Sequence, residues 1–183
     1  DSGLFNLKFC EPQNFASYRE VELDTSRIST FTQLEQLPYM SKRFMMKRYL
    51  GMTEDEIKVY AKKMTAFGEW CADQGMPLSY HHHMAAAIET EQEVDLFMKH
   101  SGEGIPLLYD AGHMAFAGGD VLRVIDKHHK RISHVHTKDV RMDVINTLDR
   151  SKESFLDAVV KGAFTVPGDG SLDFEKIVQV MPA

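Results

Sequence analysis

The sequence predicts an α/β fold in which a parallel sheet is covered by helices and closes as a (β/α) barrel. Two observations predict this class. Amphipathic helical segments alternate with short apolar segments through residues 51–183, which is the order of successive βα units. Three apolar segments also end in a polar residue, at His81, Asp110 and His136, spaced by 29 and 26 residues. Such ends meet at one mouth in a parallel barrel.

The first unit has the clearest boundaries. Thr53 and Glu56 have the spacing of a capping box, and apolar residues recur from Ile57 with the period of an amphipathic helix. Gly75 is predicted to end this helix. Residues 77–80 then read as a short strand that leads into three consecutive histidines.

The second and third units repeat this order. Thr90 and Glu93 form another capping box, for a helix that ends at Ser101 and Gly102, and the strand Ile105–Tyr109 follows and ends at Asp110. Further predicted elements are a helix after Gly118-Gly119-Asp120 that ends in the basic run Lys127–Arg131, the strand Ile132–Val135, and helices from about Ser151 to Lys161 and from about Leu172 to Val180.

Residues 1–50 match this pattern poorly. Short strands are predicted at 4–9 and 21–31, and the basic cluster at 42–48 is interpreted as a solvated helix face. We expect one domain over residues 1–183, with recognisable βα units from residue 51. A full barrel needs about 250 residues, so the 183-residue chain is expected to form an incomplete barrel.

Composition excludes several classes of protein. The chain carries a net charge of −6, with 43% hydrophobic and 26% charged residues, as in ordinary globular proteins. The acidic balance argues against a nucleic-acid binder. No apolar run approaches the roughly 20 residues of a membrane helix. Cys10 and Cys71 each lack a CxxC partner, which favours reduced thiols and a cytoplasmic location.

The polar strand ends predict a metal centre. A barrel brings these ends together, whereas an open sheet usually carries a glycine-rich phosphate turn, and no such motif occurs here. Asp110 and His136 are the predicted ligands of a borderline cation such as Mn²⁺, Co²⁺ or Zn²⁺. Asp139 is interpreted as the carboxylate that orients a ligating imidazole, and Lys138 as a cation for a substrate oxygen. Taken singly, Asp110 could instead cap a turn, and His136 could be a buried structural histidine.

The other histidines divide into two groups. Adjacent side chains of an extended segment point to opposite faces, so we expect His81 or His83 to face the mouth while His82 packs away from it. His113, three residues after Asp110, is predicted to belong to the site. Three histidines near predicted helix ends are interpreted as structural or solvated, namely His100, His128 and His129.

Four stretches resemble the inosose dehydratases (2-keto-myo-inositol dehydratases), which belong to the xylose-isomerase-like TIM-barrel superfamily of sugar isomerases and epimerases. The resemblance extends from about Gly51 to Phe174. The stretches are Tyr80–Met84 with Ile88–Thr90, Leu108–His113 through Asp120, His134–Arg141, and Val166–Phe174.

The resemblance implies a lyase of inositol catabolism that removes water from a cyclic polyol ketone through a metal-stabilised enediolate. It implies that Asp110 and His136 bind the metal, with Mn²⁺ or Co²⁺ expected, and that His81, His83 and His113 contact the substrate. A sugar isomerase or epimerase of the same superfamily and an inactive barrel fragment are the alternatives. An apurinic-site endonuclease is disfavoured by the charge. Expected partners are the small-molecule substrate and further copies in a homo-oligomer, without nucleic acid or membrane.

Overall fold

The computed structural model describes residues 52–84, 86–150 and 152–181. The two strands and the basic cluster predicted within residues 1–50 lie outside these ranges. The described part contains a three-stranded parallel sheet covered by helices and a separate two-stranded antiparallel pair. The α/β character and the parallel pairing that the sequence predicts are therefore both present.

The first helix begins and ends where the sequence predicts. Helix α1 covers Glu54–Asp73. The backbone N–H of Glu56 donates to Thr53 Oγ1 and the N–H of Thr53 donates to Glu56 Oε2, which is the reciprocal bonding of a capping box. Gly75 follows the helix with a φ of +79°, a conformation that favours glycine.

The parallel sheet aligns the three polar strand ends. Strands β1 (Tyr80–His81), β2 (Leu107–Asp110) and β3 (Ile132–His136) pair in the order β1-β2-β3. Asp110 pairs in register with His136, and His81 pairs with Leu108. Strand β1 is shorter than predicted, because only Tyr80 and His81 pair with β2 and residues 77–79 do not.

Two helices cover this sheet with their apolar faces. Helix α2 covers Glu91–His100 and begins at the capping box of Thr90 and Glu93, as predicted. Helix α4 covers Val121–His128 and is followed by a 3-10 turn. Fully buried side chains from the sheet and both helices form the core, including Leu107, Tyr109, Val94, Phe97, Val124 and Ile125.

Several short elements escape the sequence prediction. Helix α3 (Ala111–Phe116) follows β2 without a loop, and helix α5 covers Met142–Thr147. Strand β4 (Asp139–Val140) pairs antiparallel with β5 (Phe164–Thr165). Strands of two residues and helices of six are too short to display a hydrophobic period.

The last two helices are shorter than predicted because their caps lie further along the chain. Helix α6 covers Phe155–Val160 after the N-cap Ser154, and helix α7 covers Phe174–Val180 after the N-cap Asp173. Within the described ranges, no helix is both long enough and apolar enough to cross a membrane.

Candidate metal centre at the strand ends

Asp110 lies at the centre of the site. It is the last residue of β2 and the N-cap of α3, and its Oδ1 accepts the backbone N–H of His113 at 3.0 Å. The side chain is fully buried. One oxygen thus caps a helix, as one of the two interpretations of Asp110 expected, and the other oxygen faces the neighbouring strand ends.

Four side chains converge on this second oxygen, Asp110 Oδ2. Lys138 Nζ donates to it at 2.7 Å. His136 Nδ1 lies 3.3 Å away, His81 Nε2 lies 3.4 Å away and His113 Nε2 lies 3.9 Å away. The structure therefore brings Asp110 and His136, the predicted ligand pair, into direct contact.

His83 belongs to the same cluster. Its ring packs on that of His113 with 3.6 Å between centroids and lies 5.4 Å from the ring of His81. Its Nδ1–H donates to the backbone carbonyl of Met84 at 2.7 Å, which fixes the ring. Both His81 and His83 thus reach the cluster, whereas side-chain alternation predicted one of them at the mouth and the family resemblance implied both.

The donor set suits a divalent cation. His81, Asp110 and His113 each offer a ligand atom, and these atoms lie within 4.8 Å of one another. His81 Nε2 is buried, and apart from its 3.4 Å approach to Asp110 Oδ2 it has no polar partner among the described residues, as suits a nitrogen that shares a cation with that carboxylate. Imidazole nitrogen with carboxylate oxygen is chemistry that Mn²⁺, Co²⁺ and Zn²⁺ accept. His136, whose side chain is 42% exposed, flanks this group from β3.

The electrostatics favour an ionised Asp110 carboxylate beside neutral imidazoles of His113 and His83. Burial alone would raise the pKa of Asp110, but its contacts with His81 and Lys138 outweigh burial and hold that pKa well below its usual value. Burial lowers the pKa of His113 to about 2 and also lowers the pKa of His83. Lys138 donates to His113 Nε2 at 3.1 Å, and an ammonium has no acceptor, so the His113 proton resides on Nδ1.

His82 supports Asp110 from behind. The ring is fully buried and packs against Tyr109, with 5.6 Å between centroids. Its Nε2 accepts the backbone N–H of Asp110 at 3.1 Å, and burial lowers its pKa to about 4. The prediction that His82 packs away from the mouth is correct. Its hydrogen bond to the next strand was missed, because alternation along a strand gives the direction of a side chain and not its partner.

Asp139 has a different function from the predicted one. The interpretation that it orients an imidazole is wrong, because its fully buried carboxylate accepts four backbone N–H groups. The donors are those of Val140, Gly168, Gly170 and Leu172, at 2.7 to 3.1 Å. Asp139 therefore fixes the segment 168–172, which follows β5.

Two phenylalanines form an apolar wall beside the histidines. The Phe155 ring lies 5.3 Å from that of His83, and the Phe164 ring lies 5.5 Å from that of His113. Lys138 Nζ lies 5.9 Å from the centroid of Phe164. Both rings are half-buried, so the wall borders the solvent. Sequence reasoning missed these residues, because nothing in their local pattern separates them from core phenylalanines.

Gly112 allows the backbone of Lys138 to approach α3 closely. A Cβ at position 112 would lie 2.8 Å from the carbonyl oxygen of Lys138 and 2.9 Å from its Cβ. Any other residue would push the Lys138 backbone away from Asp110. The Asp-x-Gly-His stretch therefore joins the carboxylate, the close approach and His113 in one turn.

The remaining predicted histidines are structural. His100 lies 3.2 Å from Glu54, and His128 lies 2.7 Å from Asp95. His129 Nδ1 lies 2.7 Å from the carbonyl oxygen of Asp126. The interpretation of these three as helix-end residues is confirmed, since each is held by a nearby carboxylate or carbonyl.

Parallel strands covered by helices, with polar groups at the carboxyl ends of the strands, define a class of α/β barrels whose sites lie at that end. A family model described as xylose isomerase-like TIM barrel matches residues 39–183, and the chain belongs to this family. The predicted fold class is confirmed. A second model, the bacteriophage T4-like portal protein (Gp20), matches residues 1–66.

Curated relatives that resemble the chain include a catabolic protein and inosose dehydratases. The rhizopine catabolism protein MocC of Rhizobium meliloti is 47% identical over 125 residues, which cover 68% of this chain and 38% of the relative. An inosose dehydratase of Geobacillus thermodenitrificans is 44% identical over 132 residues, which cover 72% of this chain and 44% of the relative. The predicted resemblance is confirmed. The chain spans less than half the length of these relatives.

Solved structures show the same fold at low sequence identity. The probable 3-DHS dehydratase AsbF of Bacillus anthracis matches with a TM-score of 0.55 and 15% identity, over 87% of this chain and 61% of AsbF. The IolI protein with a bound zinc atom matches with a TM-score of 0.51 and 15% identity, over 70% of this chain and 44% of IolI. These matches support the barrel fold.

Proposed function

We propose that the protein is a lyase that removes water from 2-keto-myo-inositol (inosose) and yields a trihydroxycyclohexane-dione, a step of inositol catabolism. The convergence of four side-chain nitrogens on Asp110 Oδ2 at the strand ends carries this proposal. The choice of substrate follows the names of the relatives, among which inosose dehydratases recur at 40–44% identity.

We propose that Asp110 and His136 hold a divalent cation, Mn²⁺ or Co²⁺, with His81 and His113 as neighbouring nitrogen donors. Asp110 supports this assignment because its carboxylate is ionised and fully buried at the centre of the cluster. His81 Nε2 supports it because this buried nitrogen faces Asp110 Oδ2 at 3.4 Å and has no other polar partner in the described part of the chain. Such a cation, when bound, supplies Lewis acidity toward a carbonyl oxygen.

The side chains of the cluster that do not bind the cation transfer protons and orient the substrate. Dehydration breaks the C–H bond α to the ketone and the C–O bond of the β-hydroxyl, and the hydroxyl leaves as water after it takes up a proton. His83 accepts the α proton through Nε2, since its Nδ1–H is held by the Met84 carbonyl and burial lowers the pKa of the ring. Lys138, which is one-third exposed, donates to a substrate oxygen.

Phe155 and Phe164 suit the apolar face of a cyclic polyol. Their half-buried rings border His83, His113 and Lys138. The C–H face of a six-membered ring packs on such a surface while its hydroxyls reach the polar cluster. This division between apolar body and few polar contacts is common in small-molecule sites.

The test is turnover of 2-keto-myo-inositol by the purified protein after chelation and after addition of Mn²⁺ or Co²⁺. We expect the ultraviolet absorbance of a conjugated dione to rise only with metal present, and His136→Ala to abolish it. His129→Ala is the matched control, because His129 is an exposed histidine at the end of α4. Metal-independent turnover, or full activity in His136→Ala, would contradict the proposal. Exchange of the α proton with solvent without dione would instead indicate an isomerase or epimerase.

We further propose that the active protein is a cytoplasmic homo-oligomer. Exposed apolar side chains on α6 support self-association, since Leu156 is 55% exposed and Val160 is 79% exposed. Light scattering after gel filtration tests the oligomeric state, and a monomer at micromolar concentration would contradict it.

A further inference from the structure

The chain places a cation of its own in the candidate metal centre. Lys138 Nζ donates to Asp110 Oδ2 at 2.7 Å and to His113 Nε2 at 3.1 Å. These two residues supply two of the three ligand atoms that lie within 4.8 Å of one another. The ammonium therefore uses the lone pairs that a divalent cation needs.

We propose that Lys138 is an internal competitor of the divalent cation, so that metal binds only when the Lys138 ammonium leaves Asp110 and His113. This inference rests on the metal site of the proposed function and goes beyond it. It gives Lys138 two alternating positions, one on the carboxylate before metal binds and one away from it afterwards.

Charge makes the two occupants mutually exclusive. Asp110 Oδ2 would lie about 2 Å from a bound transition metal, and the Lys138 ammonium already lies 2.7 Å from the same oxygen. A double and a single positive charge so close together repel with many times the thermal energy, even at an effective dielectric constant of about 20. His113 Nε2 also has only one lone pair, so it accepts from Lys138 or binds metal.

Lys138 has room to move, whereas its backbone does not. The side chain is 33% exposed and borders the ring of Phe164 toward solvent. The backbone is held by the close approach to Gly112 on one side. On the other side it continues into Asp139, whose carboxylate is fixed by four backbone N–H groups. Displacement is therefore confined to the flexible stem of the lysine.

The first test compares Mn²⁺ affinity by titration calorimetry in the wild type, Lys138→Met and Lys127→Met. Lys127 is a suitable control, because it donates to a carboxylate, Asp95, on the outer helices. We expect Lys138→Met to bind Mn²⁺ at least about tenfold more tightly than the wild type. A tenfold change in Kd is about 1.4 kcal/mol of binding free energy. Lys127→Met should match the wild type. Equal or weaker binding by Lys138→Met would overturn the inference and leave the metal site intact.

The second test needs no substitution in the site. Reductive methylation of the wild type, read by peptide mass spectrometry, measures how accessible each lysine amine is. We expect Mn²⁺ to increase methylation of Lys138 severalfold and to leave that of Lys127 unchanged. Unchanged or reduced methylation of Lys138 in protein shown to bind Mn²⁺ would overturn the inference. Absence of Mn²⁺ binding by every variant would overturn the proposed metal site and this inference together.

Discussion

Two buried aspartates, Asp110 and Asp139, show how differently one protein can stabilise the same charge. Both side chains are fully excluded from solvent. Asp139 binds four backbone N–H groups, which occupy both of its oxygens. Asp110 binds one backbone N–H through Oδ1, and among the described residues its Oδ2 faces the side chains of a lysine and three histidines.

The nature of the partners decides what each aspartate can do. Backbone N–H groups are fixed by the fold, so Asp139 exchanges none of its bonds without unfolding the segment 168–172. Side chains can rotate away, so the partners of Asp110 Oδ2 can be exchanged, as the proposed binding of a metal requires. A buried charge satisfied by the backbone therefore maintains structure, whereas one satisfied by mobile side chains is available for chemistry.

The largest expected effect is the loss of metal binding in Asp110→Asn. The amide keeps an oxygen to cap α3 but removes the charge at the centre of the cluster. We expect the affinity for Mn²⁺ to fall at least about 1,000-fold, or about 4 kcal/mol, as measured by calorimetry. The control is Asp126→Asn, an exposed aspartate on α4, which should bind as the wild type does. A decrease in Mn²⁺ affinity under tenfold would mean that the charge of Asp110 is not needed to bind metal. Asp110 would then not differ from Asp139 in function.

The next effect is the loss of stability in Asp139→Ala. Four backbone N–H groups lose an ionised acceptor, and each buried donor left unpaired costs about 1 to 3 kcal/mol. Because water can reach part of the segment 168–172, we expect the free energy of unfolding to fall by about 4 kcal/mol in urea denaturation followed by circular dichroism. The exposed Asp143→Ala should change it by less than about 1 kcal/mol. If Asp139→Ala were as stable as Asp143→Ala, the structural role of Asp139 would be refuted.

The position of Asp110 at a strand end is predictable because the evidence for it is local. A short apolar strand that ends in a carboxylate, with His113 one turn later, already places that carboxylate at the strand ends. The capping boxes at Thr53 and Thr90 are predicted for the same reason, since all their partners lie within one turn. Where partners are adjacent in the chain, the pattern alone is sufficient.

Asp139 shows where sequence reasoning fails. It also follows a strand closely, so the pattern suggests a function like that of Asp110. Its partners Gly168, Gly170 and Leu172 lie about thirty residues further along, and nothing near Asp139 indicates them. The partner of His82, the N–H of Asp110, is as distant in sequence. Long-range hydrogen bonds require the strand register, which short elements do not reveal.

A smaller effect is expected when the segment 168–172, rather than Asp139 itself, is changed. A Cβ added at Gly170 would lie 2.4 Å from Asp139 Oδ1 and 2.5 Å from the carbonyl oxygen of Val140. We expect Gly170→Ala to lower the free energy of unfolding by about 2 kcal/mol, since such overpacking typically lowers stability by about 1 to 3 kcal/mol. Mn²⁺ affinity should change less than threefold, because Asp110 is untouched.

The comparison for Gly170→Ala is Gly168→Ala in the same segment. Gly168 has open space around it but a φ of +86°, so its cost is backbone strain of about 1 kcal/mol. Equal stability of Gly170→Ala and the wild type would show that the segment shifts freely, and that Asp139 does not fix it.

The smallest effect concerns a third carboxylate, Glu91, which is paired at the surface. Glu91 Oε2 accepts from Arg123 at 2.7 Å and from the backbone N–H of Asp120 at 2.9 Å, and these bonds link the starts of α2 and α4. The hydrogen bond from Arg123 lowers the pKa of Glu91 to about 2 from an ordinary value of 4.5. Because the folded-state pKa is lowered, the stabilisation is complete above pH 4.5 and is lost as pH falls toward 2.

Arg123 is 63% exposed, so solvent screens the pair and we expect Glu91→Gln to cost only about 1 kcal/mol at neutral pH. In urea denaturation the difference between Glu91→Gln and the wild type should shrink as pH falls below about 4.5 and as salt is added. A difference independent of both would mean that the contribution of Glu91 does not depend on its charge, unlike those of Asp110 and Asp139.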